Sequence, residues 1–142
     1  MKKSKAQAKW NGKLKKGDGS IKLSTSDKEF SFNFSSRFED GKGTNPEELI
    51  AAAHAGCFSM AFSGLLADNG YNPKSVATSA EVTIDKVGDG FKITQSALNT
   101  VGDVPEIEED EFLKLAQAAK ENCPVSQALD SVEITLDARL IQ

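Results

Sequence analysis

The sequence predicts an α+β fold in the order β-β-β-α-β-β-α-β, with a largely antiparallel sheet packed on long central helices. Alternating apolar and polar residues recur in neighbouring segments joined by glycine-rich turns, which is the pattern of antiparallel hairpins. A long, almost uniformly apolar stretch from Leu49 to Ala67 reads as a buried helix. The strands come in hairpins rather than in βαβ units, which favours α+β over α/β.

Taken in order, Ala6 to Asn11 is a short first strand containing Trp10, and Gly17-Asp18-Gly19 is a turn. Ile21 and Leu23 alternate with polar residues in the second strand. Phe30, Phe32 and Phe34 alternate with Ser31, Asn33 and Ser35, which predicts a third strand with one aromatic face, and Arg37 follows it. Asp40-Gly41-Lys42-Gly43 is a loop. Thr44-Asn45-Pro46-Glu47-Glu48 then opens a helix: Asn45 or Thr44 can cap, Pro46 suits the first turn, and the two carboxylates favour the positive end of the dipole. Thr44 and Glu47 also have capping-box spacing. The helix is expected to reach about Asn69, with Gly70 as its stop.

Ala80, Val82 and Ile84 mark one face of the next strand. Gly88-Asp89-Gly90 turns the chain, and Phe91, Ile93, Gln95 and Ala97 mark one face of the partner. Pro105 and an acidic run open a second helix with Ile107, Leu113 and Leu115 on its apolar side and Phe112 beside them. It ends at Asn122-Cys123-Pro124, because proline cannot continue a helix. A short turn of helix is expected over Val125 to Leu129. The final strand carries Val132, Ile134, Leu136, Ala138 and Leu140 on one face.

The chain has 142 residues, which suits one domain, residues 1–142, with a sizeable core. The net charge of −4 gives no reason to expect nucleic acid. Seven lysines crowd the first 16 residues, but with one aromatic and no arginine they read as a solvated flank rather than a base-reading arm. The basic N-terminus is followed by no apolar signal region. Leu49 to Ala67 is near membrane-spanning length, yet it is rich in Ala, Gly and Ser and holds His54, so no membrane partner is expected. A cytoplasmic location follows, in a compartment that keeps thiols reduced. One small sheet cannot cover a helix that is apolar all round. Ala51, Ala52, Ala53, Ala55 and Gly56 permit close approach of a second helix, so an obligate homodimer is the economical expectation.

Two cysteines, Cys57 and Cys123, have the spacing of neither a CxxC motif nor a zinc motif. Three readings compete for them: inert buried residues, a static disulfide, or a peroxide-reacting thiol with its resolving partner. Cys57 lies inside the apolar helix, where burial alone would leave it unreactive, so a reactive Cys57 needs a cation. Cys123 stands at a helix end, where backbone moves more cheaply, and a disulfide requires the two Cα atoms to come within about 7 Å.

Arg37 is the candidate cation, since arginine stays charged when buried; the chain has fifteen lysines and only two arginines. The alternative is a surface arginine at a strand end. Glu47 is ten residues before Cys57, about 15 Å along a helix, so it can aim Arg37 but not touch Cys57. Favouring the helix dipole is an equally sufficient role for it. His54, the single histidine, is expected to pack or to bond the backbone. Cys57, Cys123 and His54 lack a fourth ligand for zinc, so neither metal nor cofactor is expected.

Gly43-Thr44-Asn45-Pro46-Glu47-Glu48-Leu49-Ile50, running into Ala53-His54-Ala55-Gly56-Cys57-Phe58-Ser59-Met60, resembles the signature of the OsmC/Ohr family. Asn122-Cys123-Pro124-Val125-Ser126-Gln127-Ala128-Leu129 is similar to its second cysteine motif. Arg37-Phe38-Glu39 and Ile134-Thr135-Leu136-Asp137 also fit, and His54 with the Cys123-Pro124-Val125 context resembles the osmotically inducible OsmC branch. The resemblance implies an intertwined homodimer with active sites at the subunit interface. It also implies a peroxidase of oxidative and osmotic stress defence, which reduces organic hydroperoxides at the expense of a dithiol, lipoyl groups on proteins in particular. It makes Cys57 the attacking thiol, Cys123 the resolving thiol, and Arg37 and Glu47 the activating pair. Phe38, Phe58 and Met60 are the expected apolar lining for the substrate. The alternative is a non-enzymatic redox sensor, or a dimer that binds a hydrophobic ligand.

Overall fold

The computed structural model describes residues 1–142. It divides into two compact units, Met1–Leu49 and Ile50–Gln142.

The first unit holds β1 (Ala6–Asn11), β2 (Asp18–Leu23) and β3 (Lys28–Phe32) in an antiparallel sheet of that order, then α1 (Phe34–Phe38) and the first turn of α2 (Pro46–Asp68). Gly19 pairs with both Trp10 and Phe32, whose rings meet edge-on with centroids 5.2 Å apart. A Cβ on Gly19 would come within 2.6 Å of the Phe32 ring and 2.8 Å of Trp10, so this aromatic contact requires glycine between its partners.

The aromatic alternation predicts β3 through Phe34, but the strand ends at Phe32. Asn33 stops it: its side-chain oxygen accepts the Ser36 N–H at 2.8 Å, and its own N–H is received by the Ser36 hydroxyl at 2.9 Å. This capping box starts a helix, and period two becomes period 3.6 within one residue. Phe34 consequently stacks on Phe38 at 5.0 Å instead of on the strand face. The helix is tied to the next one, because Ser36 donates to the Thr44 carbonyl at 2.8 Å and Asn45 donates to the Ser36 carbonyl at 2.9 Å.

Asn45 caps α2, accepting the Glu48 N–H at 2.8 Å, while Thr44 donates to the Glu48 carboxylate at 2.6 Å. Glu47 is thus left free of the capping box its spacing suggests. At the far end Gly70 takes a positive φ of 89°, and the Gly70 and Tyr71 N–H groups return to the carbonyls of Ala67 and Leu66, closing the helix as expected.

The second unit contains the rest of α2, β4 (Ser75–Val87), β5 (Gly90–Asp103), α3 (Glu109–Asn122), α4 (Pro124–Ala128) and β6 (Glu133–Ile141). β4 and β5 form the expected antiparallel hairpin, turned at Gly88 with φ 62°. β6 then pairs with β5 in parallel. This corrects the reading of hairpins alone: β5, α3 and β6 make a crossover, since parallel strands need a connecting helix between them. The strand pairing is otherwise antiparallel throughout, in two three-stranded sheets, one in each unit.

In β5 the sequence marks Phe91, Ile93, Gln95 and Ala97 as one face, and the buried residues are Ser96, Leu98, Thr100 and Gly102. The register slips opposite Thr83 and Ile84, which pair with Gln95 and Ile93, leaving Thr94 as an extra residue. One extra residue in a period-two strand exchanges its faces. In α3 the buried stripe is Phe112, Leu115, Ala116 and Ala119, whereas Leu113 is exposed.

The core gathers Phe58, Phe62 and Leu66 from α2 with Leu98, Val104, Ile107, Phe112, Leu115, Ala116, Ala119 and Cys123. Phe62 sits between Phe58 and Phe112, with centroids 5.6 and 5.1 Å away. Burying each such ring contributes about 1.5–3 kcal/mol. Gly102 admits the Phe112 ring, which a Cβ there would meet at 2.6 Å. α2 is long and apolar enough to cross a membrane, but its stripe at i, i+4 spacing, His54, Phe58, Phe62 and Leu66, is fully buried in the protein. Its opposite face, Ala52, Ala53, Gly56, Met60 and Gly64, is exposed.

Candidate active site

Each unit holds one pair of the candidate residues. In the first unit, α1 and the first turn of α2 bring Arg37 against Glu47. The guanidinium donates from Nη2 to Oε1 at 2.8 Å and from Nε to both carboxylate oxygens at 3.2 and 3.3 Å. The Glu47 side chain is nearly buried at 6%, while that of Arg37 keeps 34% of its surface. A buried carboxylate held by a forked arginine fixes the guanidinium plane and leaves its outer edge free to meet an anion. Arg37 also lies over the Phe38 ring, 5.2 Å from its centroid.

A cavity of about 380 Å³ opens beside this pair, lined by Trp10, Leu14, Phe32, Phe34, Arg37 and Phe38 among others. It combines one cation with a mainly aromatic wall, a combination suited to a ligand with a polar head and an apolar body. Of the three residues expected to line a substrate site, only Phe38 borders this cavity. Phe58 is fully buried in the core because it lies on the inner stripe of α2, and Met60, 80% exposed, lies on the opposite face.

In the second unit, α2 carries Cys57 half-buried, and Cys123 is fully buried at the junction of α3 and α4. Both thiols are free, and they interact with each other. Pro124 forces the break between the two helices, so Cys123 ends one and begins the other. Burial, then hydrogen bonding to Cys123, pushes the Cys57 thiol up. Burial also works against a Cys123 thiolate, but hydrogen bonds from Cys57, from the Ser126 N–H and hydroxyl, and from the Val125 N–H carry it below the ordinary thiol value. Within this unit burial thus works against a Cys57 thiolate, while the hydrogen bonds around Cys123 favour one there.

His54 completes the cluster. It is fully buried, with Nδ1 2.7 Å from the Ser96 hydroxyl and Nε2 2.8 Å from the Ser126 hydroxyl. Burial lowers its pKa and keeps the ring neutral. The expected backbone bond is thus replaced by two serine hydroxyls. Ser96 is buried beyond the bulge in β5 and lies outside the Phe91, Ile93, Gln95 and Ala97 alternation that the sequence shows. Ser126 stood inside the second cysteine motif, three residues after Cys123, and that spacing was the available signal. A second hydroxyl chain, Ser59 to Thr78 at 2.8 Å and Thr78 to Thr100 at 2.9 Å, satisfies the neighbouring polar side chains. No group of His, Cys, Asp and Glu residues is arranged to hold a metal ion.

The profile of a family described as OsmC-like protein matches residues 39–137. The chain is 48% identical over 137 residues to a protein of Escherichia coli K12 called peroxiredoxin OsmC, covering 96% of this chain and 95% of that one. It is 32% identical over 105 residues to an organic hydroperoxide resistance protein-like chain of Staphylococcus aureus, covering 72% of this chain and 74% of that one. Its fold resembles an organic hydroperoxide resistance protein OsmC from Legionella pneumophila (TM-score 0.75, 24% identity, 95% and 96% of the two chains). It also resembles an OsmC-like protein from Mycoplasma pneumoniae (TM-score 0.76, 13% identity, 99% of both).

Proposed function

The chain belongs to the OsmC-like family, and we propose that it is a thiol-dependent peroxidase that reduces organic hydroperoxides in oxidative and osmotic stress defence. The observation that carries this reading is the meeting of Cys57 and Cys123, distant in sequence, as two free thiols in one cluster. The names of the Escherichia coli and Staphylococcus aureus relatives support the same class of activity.

In the proposed reaction Arg37, aimed by Glu47, draws the thiolate onto Cys57. Burial works against a Cys57 thiolate, which is why a cation is needed. The Cys57 thiolate attacks the peroxide oxygen distal to the organic group. An S–O bond forms, the O–O bond breaks, and the alkoxide leaves with a proton as the alcohol. Cys57 becomes a sulfenic acid. Cys123 condenses with it to a disulfide and releases water, and a dithiol, such as a lipoylated protein, returns both to thiols by exchange. The aromatic cavity beside Arg37 supports an organic rather than a small inorganic peroxide. The exposed small-residue face of α2 supports a homodimer, since Ala and Gly allow close helix approach. Such an enzyme would work in the cytoplasm, where dithiol reductants are kept reduced.

The test is consumption of cumene hydroperoxide with dithiothreitol or dihydrolipoamide as reductant, and Cys57→Ser as the control. Many turnovers, lost in Cys57→Ser, are expected. One stoichiometric reaction without cycling would indicate a redox sensor instead. No reaction with reduced Cys57 would return both cysteines to packing.

A further inference from the structure

His54 and Ser126 are buried, polar, and unused by the reaction above. His54 is wholly enclosed, Ser96 likewise, and Ser126 is 5% exposed. Burying three polar side chains in a core is costly unless each is satisfied, and here they satisfy one another in a line. Cys123 is the N-cap of α4, three residues before Ser126, and the Ser126 side chain is among the groups that lower its thiol.

We propose that Ser126, held in place by His54, is a positioning residue for the resolving step: its hydroxyl donates to the Cys123 sulfur and keeps that thiol ready to attack oxidised Cys57. The inference rests on the peroxidase reading above. One tautomer completes the chain. Ser96 donates its hydroxyl proton to Nδ1, Nε2–H donates to Ser126 Oγ, and the Ser126 hydroxyl is then free to donate to Cys123. In the other tautomer Ser126 must donate to Nε2, and Cys123 loses its partner. Ser96, buried beyond the β5 bulge, supplies the donor to Nδ1 that this arrangement uses.

The chemistry that gains is disulfide closure. The Cys123 thiolate lone pair attacks the Cys57 sulfur, the S–S bond forms, and the S–O bond breaks. The departing hydroxide takes up the proton that the Cys123 thiol had given up, and leaves as water. Cys123 is oxidised and the sulfenic sulfur of Cys57 is reduced. The rate follows the thiolate fraction of Cys123, which a donated hydrogen bond increases. The titratable groups facing Cys123 are Cys57 and His54, both on α2. Lys120, in the last turn of α3, is engaged with the Ile134 carbonyl at 3.3 Å, and α4 carries no charged residue.

The test follows disulfide closure by rapid mixing with one equivalent of cumene hydroperoxide, acid quenching and intact mass. Ser126→Ala removes one oxygen atom and preserves the packing. It is expected to slow closure about tenfold, corresponding to one pKa unit at Cys123, and to move the rate–pH curve to higher pH. Ser126→Thr, which keeps the hydroxyl, is expected to restore both. His54→Gln, which keeps an N–H donor, is expected to fall between wild type and His54→Ala. The double variant His54→Ala/Ser126→Ala is expected to be no slower than Ser126→Ala alone. A wild-type closure rate and pH curve in Ser126→Ala would overturn the proposal. Failure of the peroxidase reading would appear earlier, as no sulfenic acid in the wild-type protein. A second readout needs no peroxide: the ultraviolet thiolate titration of Cys123 in Cys57→Ser, with and without Ser126→Ala. A higher Cys123 pKa without the hydroxyl supports the proposal, and an unchanged one overturns it.

Discussion

The two units solve opposite problems with charge. The first keeps a formal ion pair, Arg37 and Glu47, at the edge of an aromatic cavity, with the acid buried and the base partly open to solvent. The two residues are ten apart, and a chain of local bonds through Asn33, Ser36, Thr44 and Asn45 sets their distance. The second unit has no such pair in its cluster. It buries a neutral histidine, two hydroxyls and two thiols drawn from α2, β5 and the α3–α4 junction. A carboxylate can be buried if a forked cation neutralises it, whereas a thiolate in an apolar core is held by small donors. The difference teaches that burial works against a Cys57 thiolate within its own unit, so a reactive Cys57 needs charge from elsewhere.

The largest effect that sharpens this comparison is at Cys123. Cys123→Ser is expected to complete one oxidation and then stall, leaving a Cys57 sulfenic acid that dimedone traps in near-stoichiometric yield. Full steady-state activity with dithiol would remove Cys123 from the resolving role. Next is Arg37→Ala, expected to raise the Cys57 pKa by about one unit and slow its oxidation about tenfold at neutral pH. Thiolate absorbance against pH measures the first and single-turnover kinetics the second. An unchanged Cys57 pKa would break the division of labour drawn here. The smallest effect concerns His54. Its folded pKa lies below its unfolded value, so the unfolded chain binds the proton more readily. Stability from this group is complete above about pH 6.5 and falls as pH drops from there toward the folded pKa. His54→Gln is expected to flatten that part of the stability curve, as read by urea midpoints across the acid range. A wild-type slope in the variant would assign the acid sensitivity to carboxylates.

Much of this was legible along the chain. The Asn45 cap, the Gly70 stop, the break at Pro124 and the turn at Gly88 all follow from local backbone chemistry, and the helices and turns lie where those residues put them. Arg37, Glu47, Cys57 and Cys123 stood out by residue type and by motif. The misread positions share one cause, a local signal overruled by a neighbour. Phe34 continued a period-two pattern until the Asn33 cap turned it into a helix. Gln95 and Ala97 continue the face marked by Phe91 and Ile93, but an extra residue at Thr94 exchanges the faces. Leu113 is as apolar as Leu115, but the helical stripe that meets the core runs through Phe112, Leu115, Ala116 and Ala119.

The sequence by itself determined which elements form, where most of them end, and which four residues are candidates for chemistry. The elements and their ends are consequences of short-range geometry, of capping, proline, glycine and side-chain period, whereas the four candidates stood out by residue type and by the motifs that carry the family resemblance. Only the tertiary structure decided that β6 runs parallel to β5, that Ser96 points inward, and that His54 binds two serines beside the thiol pair. Each of these depends on residues far apart in the chain being pressed into one core, where every buried polar atom must find a partner and the available partners are set by packing rather than by spacing.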